Sequence, residues 1–186
     1  LTSAGPDAPR PKGLGEMLLA TVERVSPEGQ RLLETLAVVG QPAGLDVVTS
    51  AAELESSISL LPELESGRLV RVRTTRSGEE IEISHDRIRR ALLDSISPDA
   101  LTDSHRRLLN ALEATGEADA EMLATHAEGC GELESAATYT SRAAAEAAEA
   151  LAFDRAARLY ERAIHLRGRD DEETRVMRVR LGNALV

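Results

Sequence analysis

Apolar residues recur along this chain mostly at intervals of three and four, the spacing of one helical face, so helices are predicted over most of its length. After a Pro- and Gly-rich stretch at 2–13 that reads as a linker or frayed tail, Leu14, Met17, Leu18, Val22 and Val25 open the pattern. Ser26 followed by Pro27 is an N-cap with proline at the first helical position. The stripe Leu32, Leu33, Leu36, Ala37 and Val39 runs on to a stop at Gly40. A short helix is expected over 46–51. Another should carry Leu54, Ile58, Leu61 and Leu64 to a stop at Gly67, with Pro62 interrupting it.

From Arg68 the period changes to two. Val70 and Val72 alternate with Arg71 and Arg73, then Ile81 and Ile83 with Glu80 and Glu82, which predicts a β-hairpin with one apolar and one charged face. With Ser77 and Gly78 as its turn, Val72 would face Ile83 and Arg73 would face Glu82. Helices are expected again from Asp86 to about Ile96 and from Pro98 to Thr115, then near 118–129, 132–149, 151–167 and 171–185.

The fold class expected is mainly α: a winged-helix module with one hairpin, followed by an antiparallel helical array. The division predicted is a tail at 1–13, a helical lid end with a winged-helix-like domain at 14–115, and a repeat region at 116–186. In that region Ala156, Tyr160 and Ala163 echo Ala136, Thr140 and Ala143, so that helices approach over alanines while an aromatic fills the gap. This is similar to the tetratricopeptide repeat of ~34 residues. Such arrays bind proteins, and Tyr139, Phe153 and Tyr160 are the candidate contact residues.

Composition narrows the function. A net charge of -10 repels nucleic acid and anionic membrane over most of the surface. No apolar run approaches the ~20 residues a transmembrane helix needs. Cys130 stands alone, so a reducing, cytoplasmic setting is expected, without disulfide or cysteine metal site. His105, His126 and His165 fall on separate predicted helices, where solvated or partly buried positions are expected. No GxxxxGK[ST] phosphate loop is present, and the single lysine, Lys12, lies in the Pro- and Gly-rich stretch, so the chain is not expected to hold nucleotide phosphates or act as an enzyme by itself. It opens without Met and is read as a fragment.

Four stretches, GLGEMLLATVERVSPEGQRLLETLAVVG, LLPELESGRLVRV, IEISHDRIRRALLDSISPDALTDSHRRLLNALEA and GELESAATYTSRAAAEAAEALAFDRAARLYERAI, resemble the segment that follows the nucleotide-binding core in bacterial STAND signalling ATPases. The phrases HDRIRRALLDSI and AFDRAARLYERAI look closest to the serine/threonine-kinase-fused branch. The resemblance implies a regulatory segment of a larger signal-transduction protein, in which the winged helix closes on an ATPase domain and the repeats receive a partner protein or form a homo-oligomer. It implies no cofactor for this segment, and ATP or ADP for the parent. It further implies that His85 reaches the diphosphate of bound ADP. The alternative at that position is a hinge at the hairpin end with Asp86 as N-cap.

Two other functions fit the outline. One is a winged-helix DNA-binding transcription regulator, disfavoured because the helix before the hairpin carries Glu53, Glu55, Glu63 and Glu65 and no Lys or Arg. The other is a free-standing tetratricopeptide-like adaptor. A basic group, Arg87, Arg89, Arg90, Arg106 and Arg107, is expected either to face an absent domain or to be solvated.

Overall fold

A computed structural model describes residues 21–22, 24–76, 78–116 and 118–185. The expected tail at 1–13, the first residues of the opening helix, Lys12 and Ser77 lie outside the described residues. The chain is mainly helical with a small antiparallel sheet. α1 spans Pro27–Val39, capped by Ser26 Oγ accepting from Gly29 N and closed by Gly40 at φ 75. A two-residue strand β1, Ala43–Gly44, leads into α2, Leu45–Ala51. A 3₁₀ turn over Ile58–Leu60 leads into α3, Leu61–Ser66, then β2, Val70–Thr75, and β3, Gly78–Ile83. The helices α4, Asp86–Ser95, and α5, Pro98–Thr115, follow. The array consists of α6, Ala120–Gly129; α7, Leu133–Glu149; α8, Phe153–Arg167; and α9, Glu172–Ala184.

The helix expected through Leu54, Ile58, Leu61 and Leu64 is divided. Glu53, at φ 55, closes α2 and passes Leu54 N to Thr49 O at 3.1 Å, which turns the chain away before Leu54 can join the next helix. Pro62, which lacks an N–H and crowds the preceding turn, takes the first turn of α3. α3 does end at Gly67, but Arg68 is the left-handed residue, at φ 54, and Leu69 N reaches back to Leu64 O at 2.9 Å.

The hairpin register differs from the expected one by two residues. Thr75 pairs with Gly78, so Val72 faces Ile81, Val70 faces Ile83 and Arg73 faces Glu80. A two-residue shift keeps every side chain on its face, because side chains alternate with period two. Gly78 stands at φ 129 as the first residue of β3, a conformation L side chains rarely adopt, and its pairing with Thr75 sets the register. The shift also puts Ile81, which has no exposed surface, between Val72 and Ala43 in a sheet ordered β1-β3-β2. β1 is too short to show an alternating pattern and was not legible in the sequence.

Three apolar clusters follow one another along the molecule. Leu32, Leu33, Leu64, Leu69, Ile81, Ile88 and Leu92 join α1, the hairpin and α4. Val38, Val47 and Ala51 then meet Leu108, Leu109 and Leu112 of α5, which in turn meet Leu123, Ala127 and Ala136 of the array. The third cluster is built from Ala143, Ala144, Ala147, Ala156, Tyr160 and Ala163; of the expected seam, Ala143, Ala156, Tyr160 and Ala163 meet in it, whereas Ala136 packs in the second cluster. The winged-helix unit and the array thus share a core through α5.

Candidate functional site

His85 sits between the end of β3 and the start of α4. Ser84 N donates to Leu69 O at 2.9 Å, which ties the hairpin end to the turn after α3. His85 itself is the N-cap of α4, with extended backbone and no side-chain capping bond. Asp86, expected as the cap, is instead the first helical residue, and its carboxylate pairs with Arg90 at 2.6 Å. The His85 carbonyl accepts from Ile88 N and Arg89 N, while its side chain is exposed.

Two clefts flank His85. One, of about 420 Å³, is walled by Glu65, Arg68, Arg71, Arg73 and Ser84. Arg71 and Arg73 lie 3.9 and 3.0 Å from the Glu82 carboxylate, whereas Arg68 forms no ion pair among the described residues. The other cleft, of about 160 Å³, is bounded by Leu36, Gly40, Gln41, Asp86 and Arg89. Arg89 Nε donates to Ala37 O at 3.0 Å and its guanidinium lies over Gly40, where a Cβ would stand 2.6 Å from Nη2. Gly40 therefore serves both the left-handed stop of α1 and the docking of α4 against it. Arginine donors, an imidazole and the amides of a helix start are chemistry for holding an anion.

The basic group assigned to α4 and α5 is mostly committed within the chain. Arg107 Nε donates to Ala51 O at the end of α2 at 3.1 Å, and Arg106 Nη2 to Cys130 O at the end of α6 at 3.3 Å. Together with Arg89 on Ala37 O, these place cations at helix C-termini, where carbonyls lack intrahelical partners and the dipole favours positive charge. Arg90 pairs with Asp86. Arg87 forms no ion pair among the described residues.

The aromatic candidates separate by burial. Tyr160 is 2% exposed and fills the third cluster. Tyr139 is half-buried, its hydroxyl donates to Glu113, and Arg142 lies over its ring at 5.4 Å. Phe153, 48% exposed, remains open to a partner. It borders a groove of about 340 Å³ with Ala145, Ala148, Arg180 and Asn183.

One arrangement was not legible in the sequence. His105 of α5 and His126 of α6 meet Nδ1 to Nδ1 at 2.9 Å, and His126 is 1% exposed. The His105 ring lies where a Cβ on Gly129 would be 2.5 Å away, so Gly129 is what lets α6 approach it. Burial lowers both imidazoles, His126 to about 4, with His105 as the second cause. His165 is exposed. Among the described residues no group of three or more His, Cys, Asp or Glu is placed to hold a metal ion, and no helix is long and apolar enough to cross a membrane. No protein-family model, curated protein or solved structure matches this chain.

Proposed function

We propose that this chain is a non-catalytic regulatory and protein-interaction segment of a STAND-type signal-transduction ATPase, working in the cytoplasm. In this reading the winged-helix unit rests on a nucleotide domain of the same polypeptide, and the tetratricopeptide-like helices receive a partner protein. The observation that carries it is the shared cluster on α5. Val38, Val47 and Ala51 on one side and Leu123, Ala127 and Ala136 on the other pack on Leu108, Leu109 and Leu112, so a partner on the array and a nucleotide domain on the winged helix act on one continuous body. Exposed His85, between two arginine-bearing clefts, is the residue assigned to contact the ADP diphosphate. Loss of ADP removes a contact made only in the closed state and shifts the population toward the open one.

A DNA-binding role is less well supported. α3 carries Glu63 and Glu65, and the wing arginines Arg71 and Arg73 are paired with Glu82. Intact mass with peptide mapping of the native gene product tests the proposal. A much larger polypeptide carrying a phosphate loop is the expected result, and His85→Ala in it should then speed ADP release. A native product of about 20.0 kDa would overturn the ATPase assignment and leave the adaptor.

A further inference from the structure

A groove of about 970 Å³ crosses the joint between the winged-helix unit and the array, on neither of the faces described above. Its sides are the β1–α2 junction, the 3₁₀ turn, the start of β3 and the connection from α5 to α6. Leu54 and Met122, both partly buried, supply apolar surface, and Ile58 stands beside them with 69% of its surface exposed. Around this surface lie Asp46, Glu55, Glu79, Glu80 and Asp119, and no Arg, Lys or His among the described residues lines the groove.

What sets these carboxylates apart is their grouping around apolar surface. Glu82, Glu121, Glu128, Glu134, Asp170 and Asp171 each face an arginine. Asp119 is occupied as the cap of α6, accepting from Glu121 N and Met122 N. Glu55, Glu79 and Glu80 have no cation partner among the described residues, and all three line the groove. Unpaired negative charge around exposed aliphatic surface complements a segment that alternates cationic and apolar faces. Strand addition is the weaker mode here, because β1 offers only the two residues Ala43–Gly44 for main-chain pairing.

We propose that this groove docks a basic amphipathic helix of a partner protein, with its apolar residues on Leu54, Ile58 and Met122 and its lysines or arginines on Glu55, Glu79 and Glu80. The site stands independently of the nucleotide reading and holds equally for a free-standing adaptor. Because its walls come from both units, an occupant would bridge them.

The test is fluorescence anisotropy of the full chain with a labelled synthetic helix of leucine and lysine, and with the same peptide carrying glutamate in place of lysine. The basic peptide should bind and the acidic one should not. The triple change Glu55→Gln, Glu79→Gln, Glu80→Gln should weaken binding about tenfold or more, and Ile58→Ser should weaken it too. Asp94→Asn, Asp154→Asn, Glu161→Gln makes the same change in net charge away from the groove and should alter affinity less than about twofold. Equal losses from the two triple variants would mean attraction to net charge alone and overturn the proposal, as would no binding of the basic peptide. Light scattering showing a peptide-free dimer that the groove variant disperses would also overturn it, by making the occupant a second copy. The three glutamates carry no ion pair among the described residues, so the variant is expected to keep its far-UV circular dichroism.

Discussion

Leu151 ends α7 at φ 61, a left-handed conformation that costs an L residue about 1–2 kcal/mol. The strain is fixed by the reverse turn around it, in which Leu151 N donates to Ala148 O at 3.0 Å and Ala152 N to Ala147 O at 2.9 Å. Its side chain is 74% exposed, so little packing offsets the cost. Leu151→Gly should raise stability by about 0.5–1 kcal/mol, a Tm increase of about 1–4 °C in a thermal melt. An unchanged or lower Tm would mean that the leucine makes a contact worth the strain. His126 argues in the opposite direction. Unfolded, its imidazole takes a proton near 6.5, whereas folded it does so at about 4, so between those values the unfolded chain binds the extra proton and stability falls as pH is lowered. The loss should be on the order of 2–3 kcal/mol by the bottom of that window. His126→Leu should remove most of it, leaving a urea-unfolding free energy that differs less between pH 7 and pH 4.5 than in the parent chain. A variant as pH-sensitive as the parent would assign the effect to other groups.

Among the elements, α6 and α8 carry the clearest repeat. The buried residues Leu123, Ala124, His126, Ala127 and Cys130 have counterparts 33 residues later in Ala156, Ala157, Leu159, Tyr160 and Ala163, all buried. Neighbouring units are also joined by ion pairs at nearly the same interval, Glu121 with Arg155 and Glu128 with Arg162, each 34 residues apart. Both pairs are partly exposed, and each is expected to contribute only about 0.2–1 kcal/mol as the coupling term of a double-mutant cycle. A larger and less salt-sensitive loss is expected for Arg107→Met, about 1–3 kcal/mol, because Ala51 O at the end of α2 loses its charged donor. Urea titrations at low and high salt separate these cases. The array was legible because alanine spacing and short glycine breaks state helix length and seam directly; its observed bounds differ from the expected ones by two residues at most. The His105–His126 pair was not legible, since nothing within either helix announces which partner it meets. Its one signal is the 33-residue offset, which sets His126 on the core position of Leu159. The hairpin's existence was equally plain, but its register was not, because a two-residue shift preserves both faces and only the placement of Gly78 decides it.

At the scale of the whole molecule the decisive feature is the absence of a gap between the two units. Sequence patterning divides the chain near 115, where Gly116 takes the left-handed stop of α5 at φ 69, but apolar contacts do not respect that division. α5 buries Leu108, Leu109 and Leu112 against Val38 and Val47 on one side and Leu123 and Ala127 on the other, and removing either side would expose this leucine face to water. At about 25 cal/mol per Å² of apolar surface, such exposure is a large fraction of a domain's net stability, so neither unit should unfold far ahead of the other. The chain carries its own probes for this. Both tyrosines, Tyr139 and Tyr160, lie in the array and there is no Trp, so intrinsic fluorescence reports the array while far-UV circular dichroism reports helices throughout. The two signals should give one urea midpoint in the parent chain. In Leu108→Ala, which opens a cavity in the shared cluster, both midpoints should fall together by an amount corresponding to about 2–5 kcal/mol. Midpoints that separate in the parent chain would show two independently folding units, and the array would then have no rigid path by which a bound partner acts on the winged helix.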